Sequence, residues 1–124
     1  MAQYLHADRK DAADGSIPML EKDFQKQVIE LARRYGWKVQ HSKTVQLASG
    51  RHMTPIDGDK GFPDLVLCHR SHGTVFAELK SMKGRFSTEQ ISWLTDLQLS
   101  GQRVYCWRPD DLQDIIQVLQ GTPT

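Results

Sequence analysis

The sequence predicts an α/β domain, a mixed central β-sheet flanked by helices. Three observations predict it. Apolar residues recur at helical spacing from Met19 to Tyr35, again after Ser87, and again after Asp110. The runs Gly61–Cys68 and Val75–Lys80, joined by the turn-like Arg70-Ser71-His72-Gly73, read as two short strands of a hairpin. A strand–helix–strand unit from Val75 through Trp107 implies a right-handed parallel crossover, while the hairpin before it pairs antiparallel. The predicted order is helix, strand, strand, strand, helix, strand, helix (α-β-β-β-α-β-α).

At 124 residues the chain is long enough for one compact domain with one core. A formal charge of +1 excludes a global basic field, so any contact with nucleic acid rests on local clustering. Cys68 and Cys106 fall in predicted strands and read as small buried hydrophobes, not as a disulfide framework or zinc ligands. No run approaches membrane-spanning length and no signal peptide is visible, so a cytoplasmic setting without a membrane partner is expected. No glycine loop suggests a nucleotide cofactor, and no serine/histidine triad emerges.

In chain order, residues 1–17 are polar and aperiodic and read as a flexible N-terminal arm, residues 18–120 as the domain, and 121–124 as a tail. In the first helix Leu20, Phe24, Val28, Leu31 and Tyr35 share one stripe, and Gly36 ends it. Glu21 falls inside that stripe, between Val28 and Ala32; Glu30 falls opposite, among Lys22, Lys26, Arg33 and Arg34. A glutamate in the first turn is also favoured by the helix dipole. Trp37–His41 is the first strand. The segment Ser42–Lys60 reads as a long loop, a length that is usually functional or disordered. It leads into the hairpin, so its Lys43, Arg51 and Lys60 are expected to border a site there and touch phosphates. His41 and His52 lack zinc-like spacing; Asp57, Asp59, His69 and His72 read as exposed. Ser81–Phe86 is basic and contains a glycine, which makes Lys83 and Arg85 candidates for phosphate contact.

Ser87 starts the second helix, with Ile91, Leu94, Leu97 and Gln98 facing in and Gly101 at its end. Ser87-x-x-Gln90 is a capping box. Trp93 reads as core or interface. Arg103–Trp107 is the last strand, Arg108-Pro109-Asp110 breaks it, and Asp110 is a cap candidate for a final helix with Leu112, Ile115, Ile116 and Leu119 on its buried stripe.

The chemistry concentrates in the hairpin. Asp64, Glu78 and Lys80 interrupt its apolar runs, and buried charge is expensive unless paired or bound to a metal. A three-residue loop pairs positions whose numbers sum to an even value, which puts Asp64 on one face with Glu78 and Lys80. Leu65, Leu67, Val75, Ala77 and Leu79 then take the other face. A two-residue loop would split the charges across the sheet. Two carboxylates and an ammonium on one face suit a hard cation such as Mg²⁺, with the lysine orienting or deprotonating a water or neutralising charge on phosphorus. A structural ion pair between Lys80 and the acids is the competing reading.

The set Gly61-Phe62-Pro63-Asp64-Leu65, Glu78-Leu79-Lys80, Ser87-Thr88-Glu89-Gln90, Trp93-Leu94 and Gly101 resembles the VRR-NUC family of the PD-(D/E)XK nuclease superfamily, over about Leu20 to Leu119. The resemblance implies a restriction-endonuclease-like core and a Mg²⁺-dependent DNA endonuclease, with Mn²⁺ as a substitute. It implies metal ligation by Asp64, Glu78 and the Leu79 carbonyl, help from Glu21 on the first helix, and catalytic roles for Lys80 and Gln90. It further implies branched DNA (four-way junctions or flaps) as substrate, a homodimer, and a bacterial or phage setting. A non-catalytic nucleic-acid-binding or assembly module on the same fold, and an RNA nuclease, are the alternatives.

Overall fold

The computed structural model describes residues 19–42, 45–46, 48–50, 52–53 and 57–121. The expected N-terminal arm and two of the phosphate-contact candidates, Lys43 and Arg51, lie outside the described residues. The elements are α1 (Glu21–Arg34), β1 (Lys38–His41), β2 (Val45–Gln46), β3 (His52–Met53), β4 (Leu65–His69), β5 (Gly73–Leu79), α2 (Thr88–Leu99), β6 (Arg103–Trp107) and α3 (Leu112–Leu119). The main sheet has the order β1-β4-β5-β6. Its first two pairings are antiparallel and β5 pairs parallel with β6, so the sheet is mixed as expected.

Alternation along the strands builds the layers. Leu65, Leu67, Val75, Ala77 and Leu79 are fully buried on one face and meet Phe24, Val28 and Ala32 of α1 and Ile115, Val118 and Leu119 of α3. Leu94 of α2 packs with Cys106, Phe86 and Val104 in a smaller cluster on the other face. Trp37 locks the first layer by donating its Nε1–H to the Leu119 carbonyl at 2.9 Å.

Several expectations need correction. The segment 42–60 is not a plain loop: β2 and β3 form a separate antiparallel ladder, Val45 opposite Met53 and Gln46 opposite His52. Leu20 is 60 % exposed and serves as the N-cap position of α1, so the buried stripe begins at Phe24. Ile91 is 41 % exposed, because only the Leu94 line of α2 reaches the sheet. Cys68 is exposed; it sits near the hairpin tip on the face opposite Leu65 and Leu67. His69 and His72 are only half exposed: their rings stack on each other at 4.1 Å and lie against Trp37. Before α3 a 3₁₀ turn covers Pro109–Asp111, and Asp111, not Asp110, accepts the returning Arg108 N–H at 2.8 Å.

One close approach positions the site. Gly61 has φ +94°, and a Cβ there would stand 2.5 Å from the Glu89 carbonyl carbon and 2.7 Å from the Gln90 nitrogen. Only a glycine lets the loop before β4 lie on the first turn of α2. Gly101, at φ +95°, has open space around it. Alanine at either position meets backbone strain of about 1–3 kcal/mol, but only Gly61→Ala adds the collision. Urea or thermal melts should therefore show a clearly larger loss for Gly61→Ala than for Gly101→Ala; equal losses would contradict the close packing.

Candidate active site

The β4–β5 connection is the three-residue loop Arg70–His72, with Gly73 at φ +86° completing the turn. Every pair in the ladder sums to the same even number, from His69 opposite Gly73 to Leu65 opposite Ala77. One step further places Asp64 across from Glu78. The contact is direct: the Leu79 N–H donates to Asp64 Oδ2 at 2.9 Å. Asp64, Glu78 and Lys80 thus share the face that carries α2, opposite the apolar core.

Glu78 is 1 % exposed and Lys80 8 %. The Lys80 ammonium lies 3.7 Å from Glu78 Oε2, and the Gln90 amide donates to that same oxygen at 3.0 Å. Gln90 also closes the capping box: its Oε1 accepts from the Ser87 N–H at 2.9 Å, while Ser87 Oγ accepts from the Gln90 N–H at 3.1 Å. The side chain uses its two ends for two tasks, so the cap and the contact with the acid coexist. Among the described residues no protein N–H donates to the second oxygen, the buried Glu78 Oε1; with one proton on the pair, the Asp64 and Glu78 carboxyl groups hydrogen-bond to each other.

Glu21 opens α1 and is half-buried at the same end of the sheet. Its Oε2 lies 3.5 Å from the Gln25 amide, the residue one turn on. Burial raises its pKa, Lys80 opposes that, the Asp64 charge adds to it, and a hydrogen bond from the Ser81 backbone again opposes it. Among the described residues no three His, Cys, Asp or Glu side chains stand together as a metal-holding group. Glu21 therefore stands near Asp64 and Glu78 without closing a three-carboxylate cage.

The acids are held on the protonated side of their usual range. Burial raises Asp64; the Leu79 N–H and Lys80 pull it back. Burial pushes Glu78 up to about 9, and the neighbouring Asp64 charge adds to it while Lys80 opposes. Two carboxylates facing each other cannot both ionise cheaply. A cation between them would remove that conflict.

The remaining candidates are spread out. Lys83 and Arg85 are exposed on the loop that leaves Lys80. Lys60 is exposed and lines a cavity of about 560 Å³ with Asp59, Thr88, Glu89, Ser92, Trp93 and Asp96. None of Asp64, Glu78 and Lys80 lines that cavity, so it lies beside the acids and is not the site itself. Trp93 is held there by the Phe62 edge at 4.9 Å and by the Asp59 carbonyl, to which its Nε1–H donates at 3.2 Å. Sequence reasoning missed Arg108 and Phe86. Arg108 is 2 % exposed and donates from Nη1 to the Ser81 carbonyl at 2.6 Å. Only the Arg108-Pro109 strand break marked it in the sequence.

A mixed four-stranded sheet flanked by helices, with paired acids, a lysine and a glutamine gathered on its hairpin, defines a restriction-endonuclease-like fold. Residues 56–110 match the model of the VRR-NUC domain. Over that span, which runs from before Asp64 to just past β6, the chain is similar to the VRR-NUC domain, a likeness that points to a nuclease-type function. The match does not extend over α1 or α3. No curated protein and no solved structure matches the chain significantly. Among the described residues no helix is long and apolar enough to cross a membrane.

Glu78 carries a pH signature. Folded, it keeps its proton up to about 9; its ordinary value is 4.5. Its stabilising contribution is thus complete below the unfolded value and is lost as pH rises through the folded one. Raised values at Asp64 and Glu21 act with the same sign. In chelating buffer, the melting temperature of the wild type relative to Glu78→Gln should be highest at mildly acid pH and decline steadily into the alkaline range. A difference that stays flat over that window would show that Glu78 is not held protonated.

Proposed function

We propose that the protein is a divalent-cation-dependent endonuclease that hydrolyses phosphodiester bonds in DNA, with branched DNA as its preferred substrate. One observation carries the reading. Asp64 and Glu78 face each other across a hairpin, and Glu78 presents a buried oxygen to which no protein N–H donates.

The donor set fits a hard cation. It is all oxygen, and two carboxylates leave room for water and phosphate oxygens, the pattern of Mg²⁺ sites. Asp64, Glu78 and the Leu79 carbonyl would hold Mg²⁺ or Mn²⁺, with Glu21 assisting through water. The ion would supply Lewis-acid polarisation of a phosphoryl oxygen and a more acidic water. The chain's own residues do the rest. Gln90 fixes the Glu78 carboxylate by its Oε2 and so aims Oε1. The Asp64 carboxylate is oriented by the Leu79 N–H. Lys80 keeps a positive charge beside Glu78, where it can orient the attacking water or balance charge growing on phosphorus. Lys83 and Arg85 would hold flanking phosphates without reading sequence. Lys43, Arg51 and Lys60 complete the proposed DNA contacts. A domain this small cannot surround a junction, so the proposal includes a homodimer with two sites on opposed strands.

Labelled junction, flap, duplex and single-stranded DNA, and RNA, incubated with and without Mg²⁺ decide the matter. Cleavage of branched DNA only with the metal is expected. Lys80→Ala should lower kcat by about 10²–10⁴-fold while DNA binding stays near wild type. Binding without cleavage under any divalent ion would leave a binding module in place of the enzyme; cleavage confined to RNA would reassign the substrate. Mg²⁺ should also raise the melting temperature of the wild type, and more so at higher pH, because the acids must release protons to bind it. The same rise in Glu78→Gln would place the ion elsewhere.

A further inference from the structure

A lysine side chain has four rotatable bonds and normally carries its ammonium out to water. Lys80 does not: it is 8 % exposed, with its ammonium 3.7 Å from Glu78 Oε2. Part of the restraint is backbone. The Lys80 N–H donates to the Trp107 carbonyl at 3.0 Å, which carries the β5–β6 pairing one residue past β5. That fixes the Cα but not the side chain.

The side chain is held by the loop that follows. The Lys80 ammonium stands 5.5 Å from the centre of the Phe86 ring, within range of a cation–π contact. The Arg108 guanidinium stands 5.6 Å from the same ring. Arg108 Nη1 also donates to the carbonyls of Ser81 at 2.6 Å and Met82 at 3.2 Å. The loop closes tightly on the lysine: a Cβ at Gly84 would approach Lys80 Cδ to 3.2 Å. Residues 107 and 108 thus grip residue 80 and the first two residues of the loop, and the loop returns Phe86 to the lysine stem.

We propose that Phe86 and Arg108 are positioning residues for Lys80: Arg108 pins the Ser81–Phe86 loop to the end of β6, and the pinned Phe86 ring holds the Lys80 ammonium at Glu78. This rests on the hydrolytic reading of the site. Burial of Arg108 suits the task. Its planar fork serves two carbonyls and a ring at once, which a lysine ammonium does not reproduce. Neither residue touches the reacting atoms. They act through the lysine, and a shift of about 1 Å in such a group is enough to lose about 10²-fold in rate.

The test uses the full chain with Phe86→Leu, Arg108→Lys and the conservative Phe86→Tyr. Two readouts are taken. The first is the rate at which an amine-acylating reagent modifies Lys80, followed by mass spectrometry at one fixed pH in chelating buffer. The second is kcat and KM on branched DNA with Mg²⁺. Phe86→Leu and Arg108→Lys should modify Lys80 several-fold faster and lower kcat by about 10–10²-fold with little change in KM. Phe86→Tyr, which keeps the ring, should behave as wild type in both. Unchanged acylation in the first two variants overturns the proposal whatever the activity. Faster acylation with unchanged kcat overturns the positioning role. A rise in KM alone would also overturn it, by making the loop a binding element only. If the wild type cuts no nucleic acid, the hydrolytic reading fails and the positioning role with it; faster acylation would then still establish the clamp on Lys80. Circular dichroism separates all of these from a variant that fails to fold.

Discussion

The structure depends on one arrangement that is unfavourable by itself: two carboxylates, Asp64 and Glu78, brought together on the same face of a buried hairpin. Glu78 is almost without solvent and no protein N–H donates to one of its oxygens. The arrangement persists because it cannot be relieved separately from the fold. A slip of one residue between β4 and β5 would part the acids. It would also turn either Leu65 and Leu67 of β4 or Val75, Ala77 and Leu79 of β5 out of the core, all of them fully buried. At about 1.5–3 kcal/mol for each large aliphatic residue, the hydrophobic loss exceeds any gain from separating two acids. Keeping one proton on the pair costs less. The core therefore enforces the electrostatic conflict, and burial, with the Asp64 charge adding to it, pushes Glu78 up to about 9.

The neighbours of the pair convert local folding rules into site geometry. Ser87 and Gln90 form a capping box, a device that any helix start could use. The Gln90 side chain has one acceptor and one donor end, so closing the box leaves its amide hydrogens free to reach Glu78. Gly61 does the same for the loop before β4. Its missing Cβ lets that loop press against the first turn of α2, close to Gln90. The first turn of one helix thus joins both acid-bearing strands, and the sequence needed only short motifs to achieve it.

The division between what the sequence showed and what it hid follows the range of the interactions. The hairpin was legible because period-2 alternation is local, but its register was conditional: Asp64 shares a face with Glu78 and Lys80 only across a three-residue loop, which the structure has. The α1 stripe was legible from Phe24 onward, and it correctly turned Glu21 inward and Glu30 outward. Leu20 misled because a helix start shares the spacing of the stripe without sharing its burial. Ile91 misled because α2 meets the sheet along a line narrow enough to bury Leu94 alone. The β2–β3 ladder escaped because two-residue strands carry no periodicity. Arg108 escaped for a different reason. Its partners, Ser81, Met82 and Phe86, lie more than twenty residues earlier, and no local pattern distinguishes a buried arginine from a surface one.

The same reasoning accounts for the balance of charge at the site. Three acids there have raised pKa values, and the groups that oppose them are Lys80, for Glu21 also Arg108, and for Asp64 also His41. A site meant only for stability would pair each acid with a base or replace both with apolar residues, since isolated buried ion pairs seldom add net stability. Here the two facing acids have one ammonium close by, placed at one oxygen of Glu78, and no protein N–H donates to the other. Two facing carboxyl groups that can give up the proton they share are what a hard cation needs and what a packed core avoids. That arrangement, more than any single residue, is what supports the proposed metal-dependent hydrolysis over a binding module on the same sheet.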